Sequence, residues 1–339
     1  MTRGPDQFVA VGRTLRASGD DVETQGAIWA SADGTTWDRI AVPGATGAAV
    51  TGVISDQAGY VAWGASETDL GVAFWVSPDG RAWTRTPGIV SPDPVEVNGL
   101  ARLGDELVAV GRAEVGSPDG DPVEAFRTWV SADGRAWQAV IPSTPAGWAG
   151  GLEGLTGTGD ALIGWVGQSS LTSTDARTWA AAPVAGDRER VEEIVAAGST
   201  VVAVGSGPVV GEAGAPPPAS AIWTRSADGA WNAVVLRPEP SVGSLREAIW
   251  YAGGFVALGS ADTQTVVWRS ADGVAWAEAS SVPDTAVDGE EEGCTGGPCP
   301  RTTVDDLTAG PSGLVAVGSS AEASGGSQAV VWVALSGGD

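Results

Sequence analysis

The stretch Trp29-Ala-Ser31-Ala-Asp33-Gly34-Thr-Thr-Trp37 decides the fold, because close copies of it recur along the chain. Asp-Gly between two apolar runs is a strong signal for a β-hairpin, since glycine accepts the positive φ of a tight turn. The Asp33 carboxylate can also accept backbone N–H hydrogen bonds within its own turn. A symmetric hairpin would set Trp29 and Trp37 opposite each other, as a cross-strand aromatic pair. The other copies, one of them degenerate and one cut short, begin at Trp75, Trp129, Leu171, Trp223, Trp268 and Trp332.

A second repeated element, a short apolar run rich in valine, precedes each hairpin. Such runs, when glycines bound them, are typical of strands that are buried on both faces. No stretch shows convincing helical periodicity, so the sequence predicts an all-β protein, and the spacing of the runs suits four-stranded propeller blades. The seven runs are 8–12, 60–64, 107–111, 162–166, 201–205, 255–259 and 314–318.

The hairpin motif resembles the Asp box, Ser-x-Asp-x-Gly-x-Thr-Trp, of the sialidase-like (BNR-repeat) β-propellers. Ser31, Asp33, Gly34 and Trp37 match it by residue type, although Asp and Gly are adjacent here and the turn is one residue shorter. In that family the box lies in the outer hairpin of a blade, away from the active face, which implies a structural role. The residues that the resemblance makes structural are Asp33, Gly34, Trp37, Asp79, Gly80, Trp83, Asp133, Gly134, Trp137, Asp228, Gly229, Trp231, Asp272, Gly273 and Trp276.

Together the repeats predict a seven-bladed β-propeller of four-stranded antiparallel blades, forming a single domain over residues 1–339. The second and third strands of a blade occur seven times, whereas the first and the fourth occur only six times. We therefore expect the first and last blades to be incomplete, lacking the first strand and the fourth strand respectively. The predicted blade cores are about 8–43, 50–88, 97–142, 152–183, 191–238, 245–283 and 302–336.

The composition excludes several kinds of chemistry. The chain has 42 acidic residues against 18 basic ones, for a net charge of −24, and it has no histidine. Because all of the basic residues are arginine, neither a histidine-dependent catalytic triad nor a lysine Schiff base is available. An acidic surface argues against nucleic acid as a partner, and no apolar run reaches the length of a transmembrane helix. The arginine motif of the sialidases is absent, and Tyr60 and Tyr251, the only tyrosines, are expected on or near the wrong face for a nucleophile.

The long connections of a propeller open on one face, and here they are acidic. Loops on a rigid scaffold are where binding residues concentrate. The candidates for ligand binding are Asp20, Asp21, Asp119, Asp121, Glu290 and Glu291. We expect no cofactor, although such carboxylates also suit Ca²⁺. In the longest loop, Cys294 and Cys299 are close enough to form a disulfide, which predicts an extracellular or cell-surface location.

The sequence favours a non-catalytic, secreted or surface-attached propeller that binds a protein or a glycan through this acidic face. One alternative is a glycoside hydrolase that uses two of the carboxylates as its acid and its base or nucleophile. A further alternative is a structural or assembly role. A deep cleft with converging carboxylates would favour the hydrolase, whereas a flat acidic rim would favour protein binding.

Overall fold

The structure, a computed structural model, contains β-strands and no helix in the residues that it describes. These are residues 1–335 except 19–20, 57, 66–70, 92, 117–122, 147, 149, 187–188, 208–218, 237–242, 262–263, 283–301, 311–312 and 322–326. The chain forms two compact units, Met1–Pro183 and Val184–Asp339, which we call the first and the second unit. Among the residues that the structure describes, no helix could span a membrane.

The first unit contains four antiparallel sheets, each built from four strands that follow one another along the chain. In order, its strands are β1 (Thr2–Arg3), β2 (Phe8–Ser18), β3 (Asp21–Ser31), β4 (Asp38–Ile40), β5 (Gly52–Asp56), β6 (Gly59–Ala65), β7 (Val72–Ser77), β8 (Thr84–Ile89), β9 (Val95–Leu103), β10 (Glu106–Val115), β11 (Val123–Ser131), β12 (Gln138–Val140), β13 (Gly154–Gly157), β14 (Leu162–Val166), β15 (Ser169–Ser173) and β16 (Ala180–Pro183).

The second unit contains two four-stranded sheets and one three-stranded sheet, ordered in the same way. Its strands are β17 (Arg190–Ala197), β18 (Thr200–Ser206), β19 (Ser220–Arg225), β20 (Trp231–Ala233), β21 (Gly243–Tyr251), β22 (Gly254–Ala261), β23 (Gln264–Ser270), β24 (Ala277–Val282), β25 (Thr302–Gly310), β26 (Gly313–Ala321) and β27 (Ser327–Leu335). Seven consecutive antiparallel blades confirm the predicted class, an all-β seven-bladed propeller.

The two terminal blades differ from each other. The last blade has three strands among the described residues, as the repeat count predicted. The first blade, however, is not missing its first strand, because β1 pairs with β2 through Thr2 and Arg3. A turn, closed by a hydrogen bond from Gly4 N to Gln7 O (3.0 Å), brings these two residues back onto Phe8 and Val9. Two residues are too few to show a strand pattern, so the sequence did not predict them.

The apolar second strand forms the centre of each blade. In β6 the residues from Gly59 to Gly64 are all buried, as a strand with packed layers on both faces requires. Trp75 on β7 is completely buried, and its indole N–H donates to Pro43 O at 2.8 Å. Within each unit, the first strands of successive blades pack against one another, for example β9 against β13 and β21 against both β17 and β25. These first strands carry several of the acidic residues described in the next section.

Candidate functional site

The repeated turns are organised by their own side chains. In the first copy, Asp33 Oδ1 accepts hydrogen bonds from the backbone N–H groups of Thr35 (2.8 Å) and Thr36 (3.0 Å). Ser31 Oγ accepts the N–H of Gly34 at 2.8 Å. Backbone donors of this kind hold the pKa of the aspartate below its usual range, because they stabilise the ionised form. The aspartates that accept two such backbone bonds and have a lowered pKa are Asp33, Asp79, Asp133, Asp175 and Asp272.

The prediction that Trp29 and Trp37 face each other is wrong. Trp29 pairs with Arg39, because the returning strand begins only after Trp37. Trp37 belongs to the turn, where its indole N–H donates to Gly34 O at 2.8 Å. The bonds to the Asp33 and Ser31 side chains spread the turn over residues 31–37, which makes it wider than a two-residue Asp-Gly hairpin. Cross-strand pairing therefore does not explain why tryptophan recurs at both positions.

Most of the predicted ligand-binding residues fall outside the described ranges. Asp21 begins β3 and pairs with Ser18, and only its backbone is described. The ligand-binding residues of the acidic face, the disulfide, the extracellular location and the binding of Ca²⁺ therefore stay predictions. Within the ranges given above, no group of three acidic or cysteine side chains is arranged to hold a metal ion. The residues outside are Asp20, Asp119, Asp121, Glu290, Glu291, Cys294 and Cys299.

Tyr60, which would be one of two possible tyrosine nucleophiles, is a packing residue. Its side chain is buried, with 3% exposed, and its hydroxyl donates to the backbone oxygen of Gln7 at 2.9 Å. Burial also raises its pKa, although hydrogen bonds to the backbone oppose that effect. A buried and hydrogen-bonded phenol is poorly placed to attack a substrate.

An acidic cleft of about 470 Å³ opens in the first unit beside β9 and β10. Arg112 lies in this cleft between two carboxylates, with its Nη2 at 2.7 Å from Glu96 Oε2 and its Nη1 at 2.7 Å from Glu124 Oε1. Glu114 and Glu153 also line the cleft, so its lining contains four carboxylates and one guanidinium. The hydrogen bond and charge of Glu96, followed by those of Glu124, raise the pKa of Arg112.

The wall of the acidic cleft adds a further acceptor. Asn98 Oδ1 is buried and has no hydrogen-bond partner in the described part of the chain. Trp63 also borders the cleft, but it is only 8% exposed and its indole N–H donates to Val97 O at 3.1 Å. Unmade hydrogen bonds of buried polar atoms are costly. The cleft therefore offers several acceptors and suits a ligand that is rich in N–H donors.

In the second unit, the first strands carry an acidic residue at one equivalent position in each of three successive blades. These residues are Glu193 on β17, Glu247 on β21 and Asp306 on β25, and each directly follows an irregularity in strand register. The side chains of Glu193 and Glu247 hydrogen-bond to each other, and Asp306 acts on both through its charge. All three side chains are at most half-exposed. We call this group the carboxyl cluster.

The equivalent position in the first unit is occupied by glycine, namely Gly52, Gly99 and Gly154. A Cβ atom on Gly52 would lie 2.1 Å from the ring of Trp63, its partner on β6. The partners of the acidic residues are smaller and aliphatic, such as Val204 opposite Glu193. At Gly52 and Gly154 the first unit therefore fills this space with an indole from the neighbouring strand, whereas Gly99 lies against Leu155 and the second unit places a carboxyl group at the same position.

Sequence reasoning missed the carboxyl cluster, although a signal for it exists. The segments Val191-Glu-Glu193-Ile194, Leu245-Arg-Glu247-Ala248 and Val304-Asp-Asp306-Leu307 align with Val97-Asn-Gly99-Leu100 of the first unit. Aligning the first strands through the valine-rich second strands would have placed the three acids in one row. The loops also carry many acidic residues, and these dominate the charge pattern of the sequence.

No family model matches the chain, and no curated protein matches it. Among solved structures, a puromycin-hydrolyzing peptidase from Mycobacterium tuberculosis is similar at 13% identity, with a TM-score of 0.53 over 95% of this chain and 51% of that chain. The chain thus spans about half the length of that peptidase. The Pan2 WD40 domain of Neurospora crassa is similar at 10% identity, with a TM-score of 0.50 over 92% of both chains.

A sialidase from Trypanosoma rangeli is also similar, at 11% identity and a TM-score of 0.48 over 87% of this chain and 55% of that chain. That score is too low to support an argument about family. At such identities the likeness is informative about backbone architecture only. What the comparisons show is a propeller fold, which is shared by proteins with different activities.

Proposed function

We propose that this protein is a non-catalytic binding propeller that holds a basic segment of a protein partner in the acidic cleft of its first unit. The observation that carries the proposal is the lining of the cleft, which contains four carboxylates and only one guanidinium, that of Arg112. Asn98 Oδ1 adds a buried acceptor without a partner in the described residues. Arginine and lysine side chains supply several N–H donors and no acceptor, so they complement such a lining.

The ion pairs in the cleft leave its carboxylates available to a ligand. The side chains of Arg112, Glu96 and Glu124 are 43%, 50% and 49% exposed. Exposed pairs of this kind contribute only about 0–1 kcal/mol, because solvent screens them. A guanidinium from a partner can therefore replace Arg112 at either carboxylate at little cost. Electrostatic attraction to the net negative charge would also speed the encounter with a basic partner.

A glycan is the second ligand class that suits this cleft. Carboxylates and arginine both form hydrogen bonds with sugar hydroxyls, and both are present. Trp63 is nearly buried, however, so it offers little of the aromatic face on which sugars commonly stack. The balance of acceptors over donors favours a basic protein segment over a neutral sugar.

The hydrolase alternative needs two carboxyl groups at a catalytic separation, with one of them able to donate a proton. Glycosidases keep the two groups roughly 5–9.5 Å apart. In the carboxyl cluster, Glu193 and Glu247 are hydrogen-bonded to each other, which is closer than that. In the cleft, Glu96 and Glu124 both contact the guanidinium of Arg112, which lies between them where a glycosidic bond would have to be placed. These contacts favour binding over hydrolysis.

The turn chemistry also supports a relationship with the Asp-box propellers. Asp79 accepts the N–H groups of Arg81 and Ala82, and Ser77 accepts that of Gly80, in the same pattern as the first copy. We infer that the turn is a shortened Asp box, with a role in folding rather than in binding.

Titration of the whole protein with a fluorescent arginine-rich peptide tests the proposed function. We expect the double variant Glu114→Gln/Glu124→Gln to bind this peptide roughly tenfold more weakly, because each lost charge contact is worth about 0.5–1 kcal/mol. Binding should also weaken as salt rises, since salt screens exposed charges. Glycan probes should bind more weakly than the peptide.

Glu106→Gln is the matched control, because Glu106 begins the same strand that ends beside Glu114. It removes one negative charge at the far end of β10 and should leave peptide binding within about twofold of wild type. A loss of binding free energy in the control of about half that in the cleft variant, which removes two charges instead of one, would mean that net charge alone attracts the peptide, and this would contradict a specific site. Turnover of a chromogenic glycoside that is lost in the cleft variant would favour the hydrolase.

A further inference from the structure

Arg112 holds its two carboxylates in the acidic cleft unequally. Its Nε and Nη2 both lie 2.7 Å from Oε2 of Glu96, whereas only Nη1 donates to Glu124, to Oε1 at 2.7 Å. Strand register explains the difference, because Glu96 is directly opposite Arg112 on β9, whereas the residue opposite Arg112 on β11 is Phe126. Arg112 therefore reaches Glu124 only diagonally. The contact with Glu124 is the one that a competing donor can replace by breaking a single hydrogen bond.

Glu124 also has a neighbour of the same charge. The ladder between β10 and β11 pairs Glu124 directly with Glu114, and the Cβ atoms of such a pair lie roughly 4.5–5.5 Å apart. Both side chains are exposed, and within the described residues the carboxylate of Glu114 has neither a hydrogen bond nor an ion pair. Like charges directly opposite each other destabilise a ladder. Nη1 of Arg112 is therefore the one donor that this pair receives from the described part of the chain.

The pair of Glu114 and Glu124 suits a guanidinium better than an ammonium. A guanidinium is planar and directs its N–H groups in a fixed fork that can reach two carboxylates at once, whereas an ammonium is a compact and strongly hydrated charge. The chain itself shows which group these carboxylates accept, because Arg112 uses all three of its guanidinium nitrogens to bridge Glu96 and Glu124. A second guanidinium would supply the donors that Glu114 and Glu124 lack.

We propose that Arg112 is a placeholder for an arginine side chain of the partner, which binds between Glu114 and Glu124 and replaces the Nη1 contact while Arg112 stays bonded to Glu96. This inference rests on the proposed function, and it adds where the first arginine binds and which contact it replaces. The exchange costs little, because the contact between Nη1 and Glu124 is half-exposed. Arginine should therefore bind better than lysine, and Arg112 should lower the affinity of the cleft rather than raise it.

Nitrogen-15 NMR of the arginine side chains in the full chain tests the exchange without a peptide. Methylguanidinium, added at constant ionic strength, should shift the Nη signals of Arg112 and leave its Nε–H signal in place, since Nε stays bonded to Glu96. Methylammonium at the same concentration should shift the Nη signals less. Nη signals that stay in place, that move equally with both cations, or that move together with the Nε–H signal would overturn the proposal.

Titration of Arg112→Gln with the arginine-rich peptide gives a second test, with Arg127→Gln as the matched control. Arg127 is on β11 of the same blade, donates from Nη1 to Phe126 O at 2.9 Å and does not line the cleft. Each substitution removes one positive charge, so net charge alone predicts equal gains in affinity. We expect Arg112→Gln to bind roughly threefold to fivefold more tightly than wild type, and the control to stay within about twofold. Equal changes, or weaker binding by Arg112→Gln, would overturn the proposal.

A lysine-rich peptide of the same length separates the exchange from simple repulsion by the charge of Arg112. If repulsion is the whole effect, Arg112→Gln should improve the binding of both peptides equally, and that result would overturn the proposal. If a guanidinium site is vacated, the arginine-rich peptide should gain at least about twofold more than the lysine-rich one. A wild type that binds neither peptide would contradict the proposed function, whereas the methylguanidinium titration would still decide whether Arg112 is a placeholder.

Discussion

The two units use the same strand position in different ways. In the first unit, Gly52 and Gly154 leave room for Trp63 and Trp165, whose rings come within 2.1 Å of where a Cβ atom would stand. In the second unit, the position carries the acidic residues of the carboxyl cluster opposite small aliphatic partners. At these positions an indole in the first unit and a carboxyl group in the second occupy equivalent places, an exchange that cores tolerate when packing is kept.

This difference separates two roles of charge. In the first unit the charged side chains lie at the ends of β9, β10 and β11, where they are half-exposed and open to a ligand. In the second unit they lie within the first strands, where burial raises the pKa of Glu193 and Glu247. Exposed carboxylates suit recognition, whereas buried ones couple folding to protons.

The largest effect should come from placing a carboxyl group of the second unit into the first. Gly52→Glu forces its side chain against Trp63 and should lower the free energy of unfolding by at least about 3 kcal/mol, because overpacking and an unpaired buried charge add together. Urea unfolding measures the loss. Gly116→Glu is the control, since nothing lies within 4 Å of a Cβ atom there.

The same substitution can be partly rescued if the volume argument is correct. Trp63→Val reproduces the small partner that faces Glu193 in the second unit. We expect Gly52→Glu/Trp63→Val to be more stable than Gly52→Glu alone. A single variant as stable as wild type, or a double variant less stable than the single one, would mean that the indole and the carboxyl group do not compete for the same space.

An intermediate effect is expected in the repeated turns. Ser77 in the first unit is buried and its Oγ accepts the Gly80 N–H at 2.9 Å, so Ser77→Ala should cost about 1–3 kcal/mol. Ser226 in the shortened turn of the second unit is exposed, and Ser226→Ala should cost only about 0.5 kcal/mol. Thermal unfolding compares the two directly. Equal losses would show that burial of the serine is not what makes the turn stabilising.

The smallest effect tests how the carboxyl cluster is coupled. The negative charge of Asp306 raises the pKa of both Glu193 and Glu247. Asp306→Asn removes that charge and should lower both titration midpoints by roughly half a pH unit to one unit. Because the pKa values of both glutamates are raised on folding, the free energy of unfolding should fall as pH rises through them, and Asp306→Asn should move that fall to lower pH. Midpoints that stay in place would show that Asp306 does not interact with the pair.

The blades could be predicted from the sequence, because each second strand repeats an apolar run and each turn repeats Asp-Gly. The position of Trp37 could not, since hydrogen bonds to Asp33 and Ser31 widen the turn beyond the ordinary hairpin. The sequence predicted only that the face with the long connections is acidic, and it did not predict the cleft. Its residues Arg112 and Glu96 are opposite each other across β9 and β10, a pairing that depends on a register shift beside Asn98. Local sequence does not specify such a shift.

Hydrogen exchange of the whole protein, measured by mass spectrometry with and without the arginine-rich peptide, tests the central claim most directly. The account predicts slower exchange in the segments that cover the acidic cleft, at the start of β9, the end of β10 and the start of β11. Exchange in β17, β21 and β25 should not change on binding. Protection confined to those strands of the second unit, or no protection of the cleft at a peptide concentration that saturates the protein, would contradict the assignment of binding to the first unit.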